Sequence, residues 1–530
     1  MLLWHYVRTV LEMKLLIFLK QISLSLLSWY VIVPLWFLSS IYRAIINVIL
    51  KMRFKKKYGG LVTKQDSFFY CSSVVDMIYI SAVLYIKSDH KIDLKKEIWR
   101  IIKEKVFDNP ENYPKLTSSK HTFGGYAYYI KNDVQISEVF KTHEVPYDVP
   151  LTEEYLKEVL GELSGRGCPS KSSAMWEFHV VPRPLDDNNS DEFYRYVIIV
   201  RVHHSLADGV SLMTLLVQLL GDTSTQNFNH DLYNKLFKDR YALKTSKNIF
   251  SSTAMKFWKN FLTILEMIFI SPGRIIEVKF FKSREKNQLK VFHFSGEKYA
   301  TWVKEHKAEC FPMVKSIKNS TNTKVSSVLT TAIYESILAH CKRTSLVEPK
   351  SLSAFMTIRT KPPIMENLKP ISLENYTSYA VLNFSTGLKS ESALNNLKIL
   401  TRETFSKIRT SDVLLAIQLM ECLMGYIPLF LSDHIFRFDN QIFIVSIVPG
   451  GSQIKILDGC ILENVVPLLP LFHSFGIAFA VVTYDDRLQV SVVADKKITG
   501  SIIELQKIAD DVLRFIKVMD SESKCTNCVS

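Results

Sequence analysis

The stretch that most constrains the fold is residues 195–221, RYVIIVRVHHSLADGVSLMTLLVQLLG. Residues 196–202 form an apolar, β-branched run that reads as a buried strand. Leu212, Leu215, Leu216, Leu219 and Leu220 then recur at helical spacing, and Gly221 stops them. Between strand and helix stand His203, His204, Asp208 and Gly209. A strand that ends on a polar cluster and enters a helix holds side chains at a rigid rim, where chemistry is commonly placed.

The polar cluster suits proton transfer. A neutral imidazole, with an ordinary pKa of about 6.5, takes a proton from an alcohol while the hydroxyl attacks a carbonyl. It needs a fixed tautomer and an open face. Asp208 is the candidate for holding that geometry, through the ring, the turn backbone or an arginine, and it is also placed to cap the following helix. Gly209 lets the chain turn without a Cβ clash. If strand alternation persists, His203 points away from His204 and serves the fold. The chain has no G-x-S-x-G elbow for a serine nucleophile. It has no third histidine or carboxylate at metal-ligand spacing, so no metal is expected.

At 530 residues the chain is too long for one core. The remainder divides into an anchor with a polybasic flank (1–60), an α/β domain carrying HHSLADG (61–245), a linker (246–290), a second α/β domain (291–520) and a tail (521–530). The linker includes FWKNFLTILEMIFI, residues 257–270, which suits an interfacial helix or a helix packed on the domain junction. The net charge of +14 suits an anionic partner. No basic stripe interleaved with aromatics is present, so nucleic acid is not expected. The eight cysteines are scattered and read as reduced thiols. Cys525 and Cys528 read as part of an untethered tail.

Residues 21–42 carry no charged side chain, and the run is long enough for a helix to cross a bilayer. A hairpin bending at Pro34 within one leaflet is the competing reading. Arg43, Lys51, Arg53, Lys55, Lys56 and Lys57 follow without an acid among them. That excess predicts a single-pass protein whose large body is cytosolic, on the endoplasmic reticulum or plasma membrane. Sequons begin at Asn188, Asn319, Asn375 and Asn383, and a lumenal body would expose them to glycosylation.

His204, Asp208 and Gly209 fit HHxxxDG. With it stand Gln65-Asp66-Ser67-Phe68, Met175-Trp176-Glu177, Glu374-Asn375, the SIVPG element Ser446 to Gly450, and Pro467, Pro470, Gly476, Tyr484 and Asp495. This ordered set resembles the wax ester synthase/diacylglycerol acyltransferase family, within the chloramphenicol-acetyltransferase-like superfamily, over roughly residues 61–515. Ser326-Ser327 and Ile447 depart from the pattern, which carries Asn-Asp and Asn there. The resemblance implies an α/β protein of two chloramphenicol-acetyltransferase-like domains forming a pseudo-dimer, here preceded by a transmembrane helix. It implies a solvent channel between the domains with His204 midway along it, acyl-CoA as co-substrate, and a long-chain alcohol or diacylglycerol as acceptor. His204 and Asp208 would be catalytic, supported by His203 and Gly209, with no tightly bound cofactor and no acyl-enzyme. A silent lipid-binding member of the fold, and transfer to another acceptor such as a sterol, are the alternatives.

Overall fold

The structure is a computed structural model. It describes residues 2–529 apart from 63, 71–77, 147, 168–173, 187–192, 223–248, 278–287, 292, 306, 360–369, 389, 436–440, 458 and 473. Most of the turn expected at 186–192 lies outside the described residues. The strands in chain order are β1 (Tyr58–Leu61), β2 (Tyr79–Ser88), β3 (Ser119–Phe123), β4 (Tyr126–Ile130), β5 (Phe140–Thr142), β6 (Trp176–Val180), β7 (Tyr194–His203), β8 (Lys298–Lys304), β9 (Ser351–Arg359), β10 (Thr377–Ser385), β11 (Phe443–Gly451), β12 (Ile454–Ile456), β13 (Cys460–Leu468), β14 (Ile477–Tyr484) and β15 (Arg487–Asp495).

Two six-stranded sheets organise the protein, in orders β12-β13-β2-β7-β6-β5 and β10-β9-β11-β14-β15-β8. The run that opens the sequence argument is central: β7 pairs antiparallel with both β2 and β6. Its hydrophobicity, interrupted by Arg201, has a physical cause. One face carries Ile198 and Val200 into a core beneath the helix Gly209–Leu220. The other carries Val197 and Ile199 into a second core shared with Phe355, Ile444 and Val493 of the other sheet. A strand buried on both faces is apolar unless a polar side chain is paired, as the buried Arg201 is with Glu177 and the Leu163 and Arg166 carbonyls. A third core lies between the second sheet and the helices Val325–Arg343 and Ile502–Val529. The architecture is mixed α/β with two sheet-rich domains.

The second half also lends strands to the first sheet. Strands β12 and β13, drawn from residues 454–468, pair into the first sheet, with Ile461 to Leu468 antiparallel to Lys87 to Ser81 of β2. Tyr484 on β14 secures this crossover: its hydroxyl donates to Leu462 O at 2.7 Å and accepts from Ile454 N at 3.1 Å. The β14–β15 hairpin turns on Asp485 and Asp486, both at positive φ, as the sequence predicts. Strands β1, β3, β8, β12 and β13 carry no clear alternation and are not expected from sequence.

Four expectations change. The helix expected over 390–424 is two helices, Ala393–Glu403 and Thr410–Cys422. Pro272 and Gly273 do not simply end Ile249–Phe269, because Pro272 opens the next helix, Ser271–Ile276, where its missing N–H costs nothing. The tail expected at 521–530 instead continues the closing helix to Val529, because Asp520 and Ser523 extend its buried face past Met519. The N-terminal helix runs unbroken from Leu2 to Phe54 through Pro34, so no hairpin forms there. It is the one helix among the described residues long and apolar enough to cross a membrane.

Replacing Tyr484 with Phe removes both hydroxyl bonds and leaves the Ile454 N–H and Leu462 C=O buried without that partner. The loss expected is about 1–3 kcal/mol, read as a lower thermal unfolding midpoint of the purified protein in detergent. An unchanged midpoint contradicts the role given to this hydroxyl.

Candidate active site

His203 and His204 part company at the end of β7. His203 is fully buried, the last residue paired to β2, with its Nδ1 2.7 Å from Ser205 Oγ and accepting the Ser205 N–H at 3.2 Å. The rings of Tyr70 and Tyr79 lie 5.5 and 5.4 Å away. His204 leaves the ladder, its backbone N–H donating to Ile78 O at 2.9 Å. Among residues 196–208 it alone is not fully buried, although its ring lies deep in the protein.

Two contacts fix the His204 ring. Phe69 stacks on it, centroids 3.8 Å apart and planes within 11°. Asn375, from the other half of the chain, places Oδ1 3.1 Å from His204 Nδ1. The Asn375 amide is itself oriented: Nδ2 donates to Asp66 Oδ1 at 2.8 Å and to His204 O at 2.8 Å. Those partners only accept, so the flipped amide would set an oxygen against two acceptors. Oδ1 therefore faces the ring, Nδ1 carries the proton, and the Nε2 lone pair is left bare. No hydroxyl or thiol of a described residue bonds this ring. Burial pulls the His204 pKa down to about 4, against the opposing pull of its own backbone carbonyl, Asp208 and Asn375. The imidazole is neutral at physiological pH.

Asp66 anchors this chain of contacts. It also accepts from Asn375 N at 3.1 Å and from Lys115 Nζ at 2.7 Å, and Lys115 bonds Leu373 O. Burial pushes the Asp66 carboxyl up, while Lys115 and Asn375 oppose that rise. Asp66 and Asn375 were both visible in sequence as parts of short motifs, but nothing linear joins positions 309 residues apart.

Asp208 does not bond the ring. Its carboxylate caps the helix Gly209–Leu220 by accepting from Ser211 N at 2.9 Å, takes the Tyr376 N–H at 2.9 Å and Thr377 Oγ1 at 3.4 Å, and pairs with Arg359. Of the roles open to it in sequence, backbone, arginine and cap are the ones observed. It acts as a clasp between the halves. Gly209 also differs from the expectation that a Cβ would clash. Its φ lies outside the left-handed region, and an added Cβ would meet only Val448, at 3.7 Å.

Gly209 instead lines an apolar cavity. Alternate residues of β2, β7 and β6, such as Ile80, Val200 and Trp176, form one wall, and Leu212, Met213 and Leu216 of the helix form another. The lining is apolar throughout. It spans the same helix whose first turn Asp208 caps, so the cavity starts beside the histidine cluster.

Residues 373–519 match the family model described as the WS/DGAT C-terminal domain. The chain is 21% identical over 433 residues, 77% of its length and 85% of the relative's, to wax ester synthase/diacylglycerol acyltransferase 11 of Arabidopsis thaliana. The chain is thus similar to wax ester synthase/diacylglycerol acyltransferases over most of its length, and its C-terminal part matches that family's model. The fold agrees. The wax ester synthase/diacylglycerol acyltransferase of Marinobacter aquaeolei VT8 superposes with a TM-score of 0.55 at 14% identity, covering 87% of this chain and all of that one. The trichothecene 15-O-acetyltransferase TRI3 of Fusarium sporotrichioides does so at 0.55 and 10%, covering 87% and 94%. The family-model match, the curated relatives and the fold together support an acyltransferase. Where family motifs carry asparagine, Ile447 packs against the C-terminal core, and Ser326 and Ser327 lie in the first turn of Val325–Arg343.

Asn375→Ala removes the acceptor that selects the His204 tautomer without touching Nε2. Acyl transfer is expected to fall about 10²-fold in kcat, within the range of general-base effects, with KM little changed. Steady-state kinetics of the purified variant check this. A change confined to KM contradicts a positioning role.

Proposed function

We propose that the chain is a membrane-bound O-acyltransferase that moves a fatty acyl group from acyl-CoA to a long-chain alcohol or diacylglycerol, forming wax ester or triacylglycerol, with His204 as general base. The observation that carries this reading is the His204 tautomer: a neutral ring held by Phe69 and Asn375, with Nε2 unengaged and no serine or cysteine bonded to it among the described residues. The acceptor classes come from the relatives' names, which join wax ester synthase and diacylglycerol acyltransferase. The net charge of +14 supports a donor bearing phosphates.

The reaction balances with one base. The acceptor hydroxyl gives its proton to Nε2 as its oxygen bonds to the thioester carbonyl carbon. The carbon–sulfur bond then breaks, and the imidazolium returns the proton to the departing CoA thiolate. During the step the Nδ1–H stays on Asn375 Oδ1, which supports the transient positive ring. Asp208 positions the turn and helix rather than taking part in proton transfer. The apolar cavity beside Gly209 seats the acyl chain of the donor, since it offers no polar atom to a headgroup.

His204→Ala is expected to reduce turnover by about 10²–10⁴-fold with the thermal midpoint retained. Because only the neutral ring accepts a proton, and its pKa is drawn down to about 4, the acid limb of the pH–rate profile is expected near pH 4 rather than near 6.5. Retained turnover in the variant, or an acid limb at the ordinary histidine position, contradicts the assignment.

Leu216→Phe narrows the cavity. Long-chain acyl donors are expected to lose several-fold in kcat/KM while a short-chain donor is spared. Equal loss for all chain lengths removes the cavity from donor binding.

A further inference from the structure

The N-terminal helix is bonded to the body along its side. Lys20 pairs with Glu277 at 2.8 Å. Ser25 Oγ accepts the Gly273 N–H at 2.9 Å, and a Cβ on Gly273 would fall 2.1 Å from Gln21 O, so the two backbones touch. Trp29 Nε1 donates to Ile268 O at 2.7 Å, Trp36 Nε1 to Cys422 O at 3.0 Å, and Arg43 Nε to Gly425 O at 2.6 Å. Tyr126 OH donates to Ser39 O at 3.1 Å, and Tyr58 OH to Asn47 Oδ1 at 2.7 Å. The buried positions Ser25, Ser28, Ser39, Ile46 and Leu50 fall on one face.

These bonds run from residue 20 to residue 47, about 40 Å of helix at 1.5 Å per residue. That exceeds the roughly 30 Å of hydrocarbon in a bilayer. A helix fastened sideways over that distance cannot cross unless the flank of the body crosses with it. That flank holds the Arg274 pairs with Glu266 and Asp412 and the Arg409 pair with Glu266, which hydrocarbon disfavours.

The opposite face is apolar and open. Leu27, Tyr30, Val31, Phe37 and Leu38 are more than half exposed. The patch continues onto neighbouring elements. Phe257 and Trp258 of the helix Ile249–Phe269 are 67% and 59% exposed, and Phe430 of Leu429–Ile435 is 59% exposed. At the helix's C-terminal end Lys51, Arg53, Lys55, Lys56 and Lys57 are all exposed. An apolar strip ending in a cluster of cations is complementary to a leaflet with anionic headgroups.

We propose that the N-terminal helix does not span a membrane but lies in one leaflet. Its outer face and the aromatics of Ile249–Phe269 enter the acyl region, and Lys55 to Lys57 sit on anionic headgroups. The single span expected from sequence gives way because its inner face is occupied by the protein itself. The N-terminus and the body then lie on the same side of the membrane. This placement stands independently of the acyl-transfer reading.

The full-length chain tests it in two ways. A sequon-bearing extension at the N-terminus, expressed with microsomes, is expected to stay unglycosylated while the protein resists carbonate extraction. Glycosylation of the extension with an unglycosylated body overturns the proposal in favour of a span. In flotation with phosphatidylcholine vesicles containing phosphatidylserine, Val31→Glu/Leu38→Glu is expected to lose at least ten-fold in bound fraction at an unchanged thermal midpoint. Each of Lys55→Gln, Lys56→Gln and Lys57→Gln is expected to weaken binding about five-fold, only when phosphatidylserine is present. Undiminished flotation of the Val31/Leu38 variant overturns the proposal, as does its conversion from dimer to monomer with flotation intact, which assigns the face to a second copy.

Discussion

The site depends on two carboxylates that hold the halves of the chain together at one histidine. Asp208 pairs with Arg359 with side-chain exposures of 5% and 11%, and takes N–H and O–H donors from residues 376 and 377. Asp66, with Lys115 behind it, orients Asn375, which orients His204. Removing one partner of a buried pair leaves an uncompensated charge and costs about 3–5 kcal/mol. Small relative movement of the two sheets is thereby opposed at the place where His204 needs a fixed tautomer. The same contacts that join the domains fix the His204 ring.

The crossover strands make the coupling deeper. Because β12 and β13 complete the first sheet from the second half of the chain, that sheet is not finished without the other half. Tyr484 stitches β14 to those strands, and the core holding Phe355, Ile444 and Val493 is shared with the reverse faces of β2 and β7. The apolar cavity lies in the remaining space, walled by the sheet and by the helix that Asp208 caps. The cavity, domain docking and the geometry of His204 therefore share one structural frame.

Legibility in the sequence varied with how local each cause is. Strand β7, the helix after Gly209, the Asp485–Asp486 hairpin and the helix Val325–Arg343 were readable, because periodicity and turn chemistry act within a few residues. Short strands such as β1 and β12 were not, because pairing partners rather than their own sequence make them strands. The closing helix ran longer than expected because Asp520 and Ser523 are buried by tertiary contacts. At the site, His204 stood out by its neighbours. Asn375 and Asp66 appeared only as motif letters without a role, and the reason given for Gly209 was a clash the backbone does not have.

By itself, then, the sequence determined the mixed α/β class, the pair of histidines with unequal environments, and the presence of a long apolar N-terminal helix. Local steric preference and hydrophobic patterning are enough for these. Only the tertiary structure decided that Nδ1 of His204 faces an oriented amide, that Asp208 is a clasp and cap, that an apolar cavity opens beside Gly209, and that the N-terminal helix is fastened along its flank. The His204–Asn375, Asp208–Arg359 and Ser25–Gly273 contacts join positions 171, 151 and 248 residues apart, and no pattern along the chain encodes which distant group will meet which.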